Sequence, residues 1–163
     1  MPITETDLEQ ARIAWGDALI KISKTYEADG IDGARALAGD VLDAAYGYNL
    51  GPVLFKPTLA SGEQTFRTNR KGALSYFVGH DPDYPLDGGF GIKGWRKCES
   101  ETAASFIEGD VAMWMGWIIL TDKDGQITKV DKSWGYKKDS DGTMRIVLHH
   151  SSLPYQPEAT AGT

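Results

Sequence analysis

At 163 residues, 41% of them hydrophobic and 25% charged, the chain can bury one sizeable core, and five Trp and seven Tyr give that core bulk. A net charge of −6 argues against a nucleic-acid groove, which needs clustered Lys and Arg. No stretch reaches the roughly 18 consecutive apolar residues of a membrane span, so no membrane partner is expected. Cys98 stands alone, which rules out an internal disulfide and leaves the redox compartment unread. The acidic start, Met1 to Glu9, lacks the basic and apolar regions of a signal peptide, so the cytoplasm is the default location.

In chain order, Thr6 and Glu9 read as a capping box opening a helix. Leu8, Ala11, Trp15, Ala18, Leu19, Ile22 and Tyr26 recur at helical spacing, and Asp29-Gly30 stops the run. Asp32 caps a second helix with Ala34, Leu37, Ala38, Val41, Leu42 and Ala45 on its buried side, ended by Gly47; together they predict a helix hairpin. Gly and Pro then forbid long elements. Short strands are predicted at 53–56 and 64–67, and a short helix over 70–77 is capped by Thr68 or Asn69. His80 falls in a loop running to Gly89. From residue 92 long strands follow: 92–107, 111–121, 126–138 and one from Met144, joined by Glu108-Gly109-Asp110, Asp122 to Gly125 and Asp139 to Gly142. Helices followed by an antiparallel meander predict an α+β domain, one unit over 1–163 with its core at about 6–157, in which a strongly curved sheet wraps the helices. The tail from Glu158 is expected to fray.

The last strand carries the densest chemistry: Met144-Arg-Ile-Val-Leu-His-His-Ser-Ser-Leu-Pro154. Strict alternation puts Arg145, Val147, His149 and Ser151 on one face and Met144, Ile146, Leu148, His150 and Ser152 on the other. His149 and His150 therefore cannot ligate one metal from a regular strand, and with His80 the only other histidine an all-histidine zinc site is disfavoured. His149 and Ser151 share a face. They either satisfy each other in a cavity or serve a reaction there, with His149 the natural proton carrier because imidazole titrates near 6.5. Trp95, Trp114, Trp117 and Trp134 read as core or interface residues. Trp114 and Trp117, three apart, face opposite sides, so one of them lies outside where a second subunit could cover it. Lys129 and Asp131 read as a solvated pair, and Cys98 as a small buried hydrophobe.

This order of elements resembles the nuclear-transport-factor-2-like (NTF2-like, SnoaL-like) fold, also that of the calmodulin-dependent kinase association domain. Leu148-His-His-Ser-Ser-Leu-Pro154, with Gly88-Gly89-Phe90 and Phe55-Lys56-Pro57-Thr58, resembles the iota-class carbonic anhydrases over about residues 8–157. The resemblance implies a homodimer of cone-shaped protomers in whose cleft carbon dioxide is hydrated to bicarbonate. It implies a water or bicarbonate held by three hydroxyls, which fall on Thr58, Tyr76 (in Ala-Leu-Ser-Tyr-Phe) and Ser151. Some members of that family are metal-free and others are associated with zinc or manganese; the expectation here is no metal. Read without the resemblance, Tyr76 is as well a core aromatic and Thr58 a turn residue. A SnoaL-like isomerase or cyclase, or a non-catalytic ligand-binding or oligomerisation domain, remains the alternative.

Overall fold

The structure is a computed structural model that describes residues 1–158. The predicted fraying of the tail lies, from residue 159 on, outside the described residues.

Helix α1 spans Glu5–Ala45. Its cap is not Thr6 and Glu9 but Thr4 and Asp7: the Thr4 hydroxyl accepts from Asp7 N at 3.1 Å and the Asp7 carboxylate from Thr4 N at 2.9 Å. Thr6 and Glu9 sit two residues too late, inside the first turns. The predicted break is at Gly30, whose φ of 76° lies in the left-handed region that suits glycine. The second arm returns beside the first. Trp15, Ala18, Leu19 and Ile22 face Ala38, Val41, Leu42 and Tyr46, and Trp15 Nε1 donates to the hydroxyl of Tyr46, 31 residues on.

Strand β1 is Leu54–Lys56 and helix α2 is Arg70–Val78, capped by the Asn69 side chain on Gly72 N. No strand forms at 64–67; residues Gly62–Gln64 make a single 3-10 turn, and the Arg67 N–H alone reaches the β1 carbonyl of Phe55 at 2.7 Å. A second 3-10 turn, Phe90–Ile92, takes the start of the expected first long strand. The long strands are β2 (Trp95–Glu108), β3 (Val111–Asp122), β4 (Ile127–Lys138) and β5 (Met144–Ser152). They form one sheet in the order β1-β5-β4-β3-β2, antiparallel except for the β1/β5 pair.

Register shifts interrupt β2 twice, after Trp95 and after Thr102, and extra residues of this kind bend and twist a sheet. A third shift changes the reading of β5. Gly135 pairs with Leu148 and Tyr136 with Ile146, leaving Val147 unpaired. The alternation flips across that residue, so Ile146 is buried with His149 and Ser151 while Arg145 and Val147 are not. On β4 the alternation holds: Val130, Lys132, Trp134 and Tyr136 all point into the core. Trp15 meets Trp134 edge-on at 5.2 Å, joining α1 to the sheet, and Ser23 ties α1 to the Gly91 carbonyl and the Trp95 N–H. Trp95, Trp114 and Trp134 are core residues; Trp117 is on the outer face. Lys129 and Asp131 do not pair, because Lys129 lies over the Trp117 ring and Asp131 accepts from Ser152.

Candidate active site

The parallel pairing of β1 with β5 assembles the site. Phe55 aligns with His149 and Lys56 with His150. The Phe55 and His149 rings stack with centroids 4.6 Å apart. Pro57 has no N–H to continue the ladder, and the chain turns so that Thr58 Oγ1 lies 2.6 Å from Ser151 Oγ. Tyr76 comes from α2. Its ring stacks on Phe90 and meets Phe55 edge-on, and its hydroxyl accepts from Leu59 N at 3.1 Å, one residue beyond Thr58. Burial pushes the Tyr76 phenol up to about 12, with the Leu59 N–H and the neighbouring Thr58 hydroxyl acting the other way, so it is a hydrogen-bonding group and not a base at neutral pH. Thr58, Tyr76 and Ser151 are thus brought together. Of the three, Tyr76 lines a cavity of about 220 Å³ that opens between Leu59, Leu86, Lys93 and the Asp87-Gly88-Gly89-Phe90 turn, while Thr58 and Ser151 are buried behind it.

A buried ion pair holds the α2 side of this arrangement. The two terminal guanidinium nitrogens of Arg67, Nη1 and Nη2, each donate to the Asp87 carboxylate at 2.7 Å, and Ser75 Oγ donates to the same carboxylate at 2.6 Å. Arg67 also donates to the carbonyls of Gln64 and Gly72. One cation therefore ties the 62–67 segment, α2 and the glycine-rich turn together around Tyr76.

His149 shares the interior with Ser151, but it is not the free imidazole expected. Both ring nitrogens are engaged, Nδ1 with the Tyr46 hydroxyl and Nε2 with Lys132 Nζ, each at 2.8 Å. Burial, and then the Lys132 charge, lower its pKa well below 6.5, so it is held neutral at physiological pH with both ring nitrogens already in hydrogen bonds. His150 is exposed on the opposite face, and His80 bonds the Val78 carbonyl from its loop.

Sequence reasoning missed Lys132. Its side chain is 2% exposed, and Nζ lies 3.1 Å from Ser151 Oγ as well as 2.8 Å from His149 Nε2. It also sits 4.7 Å from the Trp15 ring centroid and 5.5 Å from that of Trp134. No carboxylate bonds it, and burial holds its pKa down to about 7. Its signal was its phase: a lysine in step with Val130, Trp134 and Tyr136 on an amphipathic strand. Tyr46 and Trp15, which extend the chain of contacts behind His149, gave only the signal of core aromatics.

Among the described residues no group of three His, Cys, Asp or Glu side chains is placed to share a metal ion. A larger apolar cavity, about 440 Å³, lies between the α1 arms and the sheet, lined by Ala14, Trp15, Ala18, Val41, Tyr136 and Ile146 among others. The carboxylate on its lining, Asp7, is the helix-capping group and bonds Lys138. That leaves the cavity without the buried carboxylate base an isomerase would use.

A helix hairpin seated against a curled, mostly antiparallel sheet defines the NTF2-like class. The structure superimposes on a putative calcium/calmodulin-dependent protein kinase II association domain from Xanthomonas campestris with a TM-score of 0.57, at 22% identity over 96% of this chain and 91% of that one. It superimposes on an NTF2-like protein from Pseudomonas putida KT2440 with a TM-score of 0.55, at 16% identity over 94% and 89%. A far stronger likeness, TM-score 0.94 and 55% identity over 96% of this chain and 95% of the other, is to a cyanobacterial iota-carbonic anhydrase complexed with bicarbonate. A metal-independent carbonic anhydrase from Nostoc sp. (strain PCC 7120) is 56% identical over 154 residues, which are 94% of this chain and 75% of that protein. The profile of the metal-independent carbonic anhydrases matches residues 6–153. The chain belongs to the metal-independent carbonic anhydrase family.

Proposed function

We propose that this protein hydrates carbon dioxide reversibly to bicarbonate, without a metal, at the hydroxyl cluster of Thr58, Tyr76 and Ser151. The observation that carries the reading is the 2.6 Å approach of Thr58 and Ser151, two residues 93 positions apart, beside the Tyr76 hydroxyl at the edge of a small cavity. Hydroxyls of this kind accept from a bound water and orient its lone pair toward carbon. As charge grows on the product oxygens they donate to it, as an oxyanion site does. The cavity is of mixed character: Leu59, Leu86 and Phe90 offer a nonpolar gas apolar contacts, and Tyr76, Asp87 and Lys93 supply polar groups for the charged product. Stopped-flow hydration with chelator-treated protein tests this reading. Activity should survive the chelator, and Ser151→Ala and Tyr76→Phe should each lower kcat/KM at least about tenfold with circular dichroism unchanged, the loss expected when an oxyanion donor goes. No hydration above buffer would end it.

The working unit we propose is a homodimer. Phe106, Met113 and Met115 are each about half exposed or more on the outer face of β2 and β3, an apolar stripe that a second copy would cover. Met113→Glu with Met115→Glu should yield a monomer in sedimentation equilibrium, and a wild type that is already monomeric would refute the proposal.

A further inference from the structure

Three hydroxyls can hold a water but cannot keep its proton, and the hydration of carbon dioxide releases one. Resting on the carbonic anhydrase reading, we infer that Lys132 is the proton acceptor of the reaction, reached from the bound water through the Ser151 hydroxyl. Lys132 Nζ lies 3.1 Å from the Ser151 hydroxyl, and the other titratable groups around the cluster are engaged elsewhere. Lys56 Nζ donates to the Ser151 carbonyl at 2.8 Å, Arg67 and Asp87 close on each other, and both nitrogens of His149 are bonded.

The donors can be followed outward along the buried chain. Trp15 Nε1–H can only donate, and it meets the Tyr46 oxygen at 3.1 Å. Tyr46, whose pKa burial raises well above 10, keeps its proton, and the acceptor within reach is His149 Nδ1. The single hydrogen of a neutral His149 is then on Nε2, aimed at Lys132 Nζ. A nitrogen that receives a hydrogen bond must own a lone pair, so this arrangement holds Lys132 as an amine. Were Lys132 an ammonium, Nε2 would accept, Nδ1–H would turn to Tyr46, and the buried Tyr46 hydroxyl would lose its acceptor. The ammonium has a compensation of its own, the faces of Trp15 and Trp134. Each charge state is supported by something the other lacks, which is what a group that takes and returns a proton requires.

The step balances as follows. The water oxygen forms a bond to carbon, one π pair of carbon dioxide moves onto its oxygen, and a water O–H bond breaks. That proton goes to Ser151 Oγ while the Ser151 proton passes to the Lys132 lone pair, which turns from His149 to receive it; the imidazole keeps its hydrogen on Nε2 throughout the step. The products are bicarbonate and the Lys132 ammonium. Once bicarbonate leaves, the same hydroxyls return the proton to solvent water or a buffer base.

The surroundings of Lys132 leave it to titrate in this range. Cys98 on β2 is a thiol pushed up to about 11 by burial, and α1 presents the Trp15 ring. β3 places Gly116 opposite, and β5 contributes Ser151 and the neutral His149. Asp131 and Lys56 act from a distance in opposite directions.

The test is the pH dependence of kcat for hydration, pH 6 to 9, in wild type, Lys132→Arg and Lys132→Met, with bicarbonate binding followed by carbon-13 NMR. The wild-type rate should climb with pH through a midpoint near 7. Both variants should lose at least about a hundredfold in kcat, as expected when a general base goes, together with that midpoint. Lys132→Arg should still bind bicarbonate. In Lys132→Ala, small primary amines should restore rate in the order of their basicity, a response that a purely structural lysine would not give. The wild type alone gives a second reading, independent of whether the variants fold: the Lys132 Cε resonance should titrate near pH 7. An active wild type whose Lys132 stays charged to pH 9, or a Lys132→Arg protein that keeps its rate and profile, overturns the inference alone. A wild type with no hydration activity overturns the functional reading and the inference with it.

Discussion

Replacing Asp87 by Ala should unfold this protein more readily than any surface substitution, and the size of the effect follows from burial. The Arg67 and Asp87 side chains are 3% and 4% exposed, so truncating the carboxylate leaves a guanidinium charge without its partner in a dry setting. Removing one member of such a buried pair costs about 3–5 kcal/mol. The Ser75 hydroxyl also loses its acceptor, which adds about 1 kcal/mol. At about 2–4 °C per kcal/mol for a chain of this length, Tm should fall by about 8–24 °C. Urea titrations followed by Trp fluorescence would give the free energy directly, with an unchanged slope confirming that the native state is still compact. Two comparators sharpen the result. Asp43 pairs with Arg70 through two similar contacts, but the two side chains are 62% and 44% exposed, so Asp43→Ala should cost no more than about 1 kcal/mol. Arg67→Met with Asp87→Leu should recover most of the Asp87→Ala loss, because no charge is left orphaned. If Asp87→Ala costs less than about 1 kcal/mol, the pair is not holding the Tyr76 side of the site as argued.

Two further predictions concern the buried chain behind Ser151. The folded pKa of Lys132, about 7, lies below the 10.5 of an exposed lysine, so between those values the unfolded state binds the extra proton and stability should rise with pH; His149, also depressed, adds a loss as pH falls below 6.5. Lys132→Met should flatten the first of these slopes in urea titrations from pH 7 to 10, and an unchanged difference curve would show that Lys132 is not neutral in the fold. Tyr46→Phe removes the hydroxyl that donates to His149 Nδ1 and should cost about 1–3 kcal/mol. It should also move the pH midpoint of hydration upward, since the amine form loses its support; a midpoint that stays put or falls would contradict the donor sequence from Trp15 to Lys132.

The elements that local chemistry specifies were legible: the Asp-Gly hairpins, the helix stop at Gly30, the Asn69 cap and the alternation along β3 and β4. The β5 faces were not, because the residue that flips them, Val147, is extra only relative to Gly135 and Tyr136 on β4; a single strand carries no sign of it. The capping box was displaced because Thr4-x-x-Asp7 and Thr6-x-x-Glu9 offer the same chemistry two residues apart, and the helix takes the earlier one. Among the site residues, Thr58 and Ser151 depend on a parallel pairing across more than ninety residues that no local pattern encodes; their proximity came from family resemblance alone. Lys132 was legible in principle. A lysine in phase with Val130 and Trp134 must either snorkel out or be buried at a cost, and the second outcome is the informative one.

The placement of negative charge explains why a buried lysine here can stay near neutrality in its titration. A carboxylate in contact with Nζ would fix the ammonium and remove its use as a base, as opposite charges close together do. The nearest carboxylate along the chain is Asp131, adjacent in sequence, and strand alternation turns it to the other face, where it accepts from Ser152 at 2.7 Å. Ser151 and Ser152 divide in the same way, one toward Lys132 and Thr58, the other toward Asp131. Two neighbouring pairs on adjacent strands, Lys132 with Ser151 and Asp131 with Ser152, thus keep a proton acceptor inside and its natural counter-ion outside. A one-residue slip of β5 against β4 would bring His150 or Ser152 to the inner face and break this separation. The bulge at Val147, by setting which β5 residues face inward, is therefore as much a part of the site as the hydroxyls are.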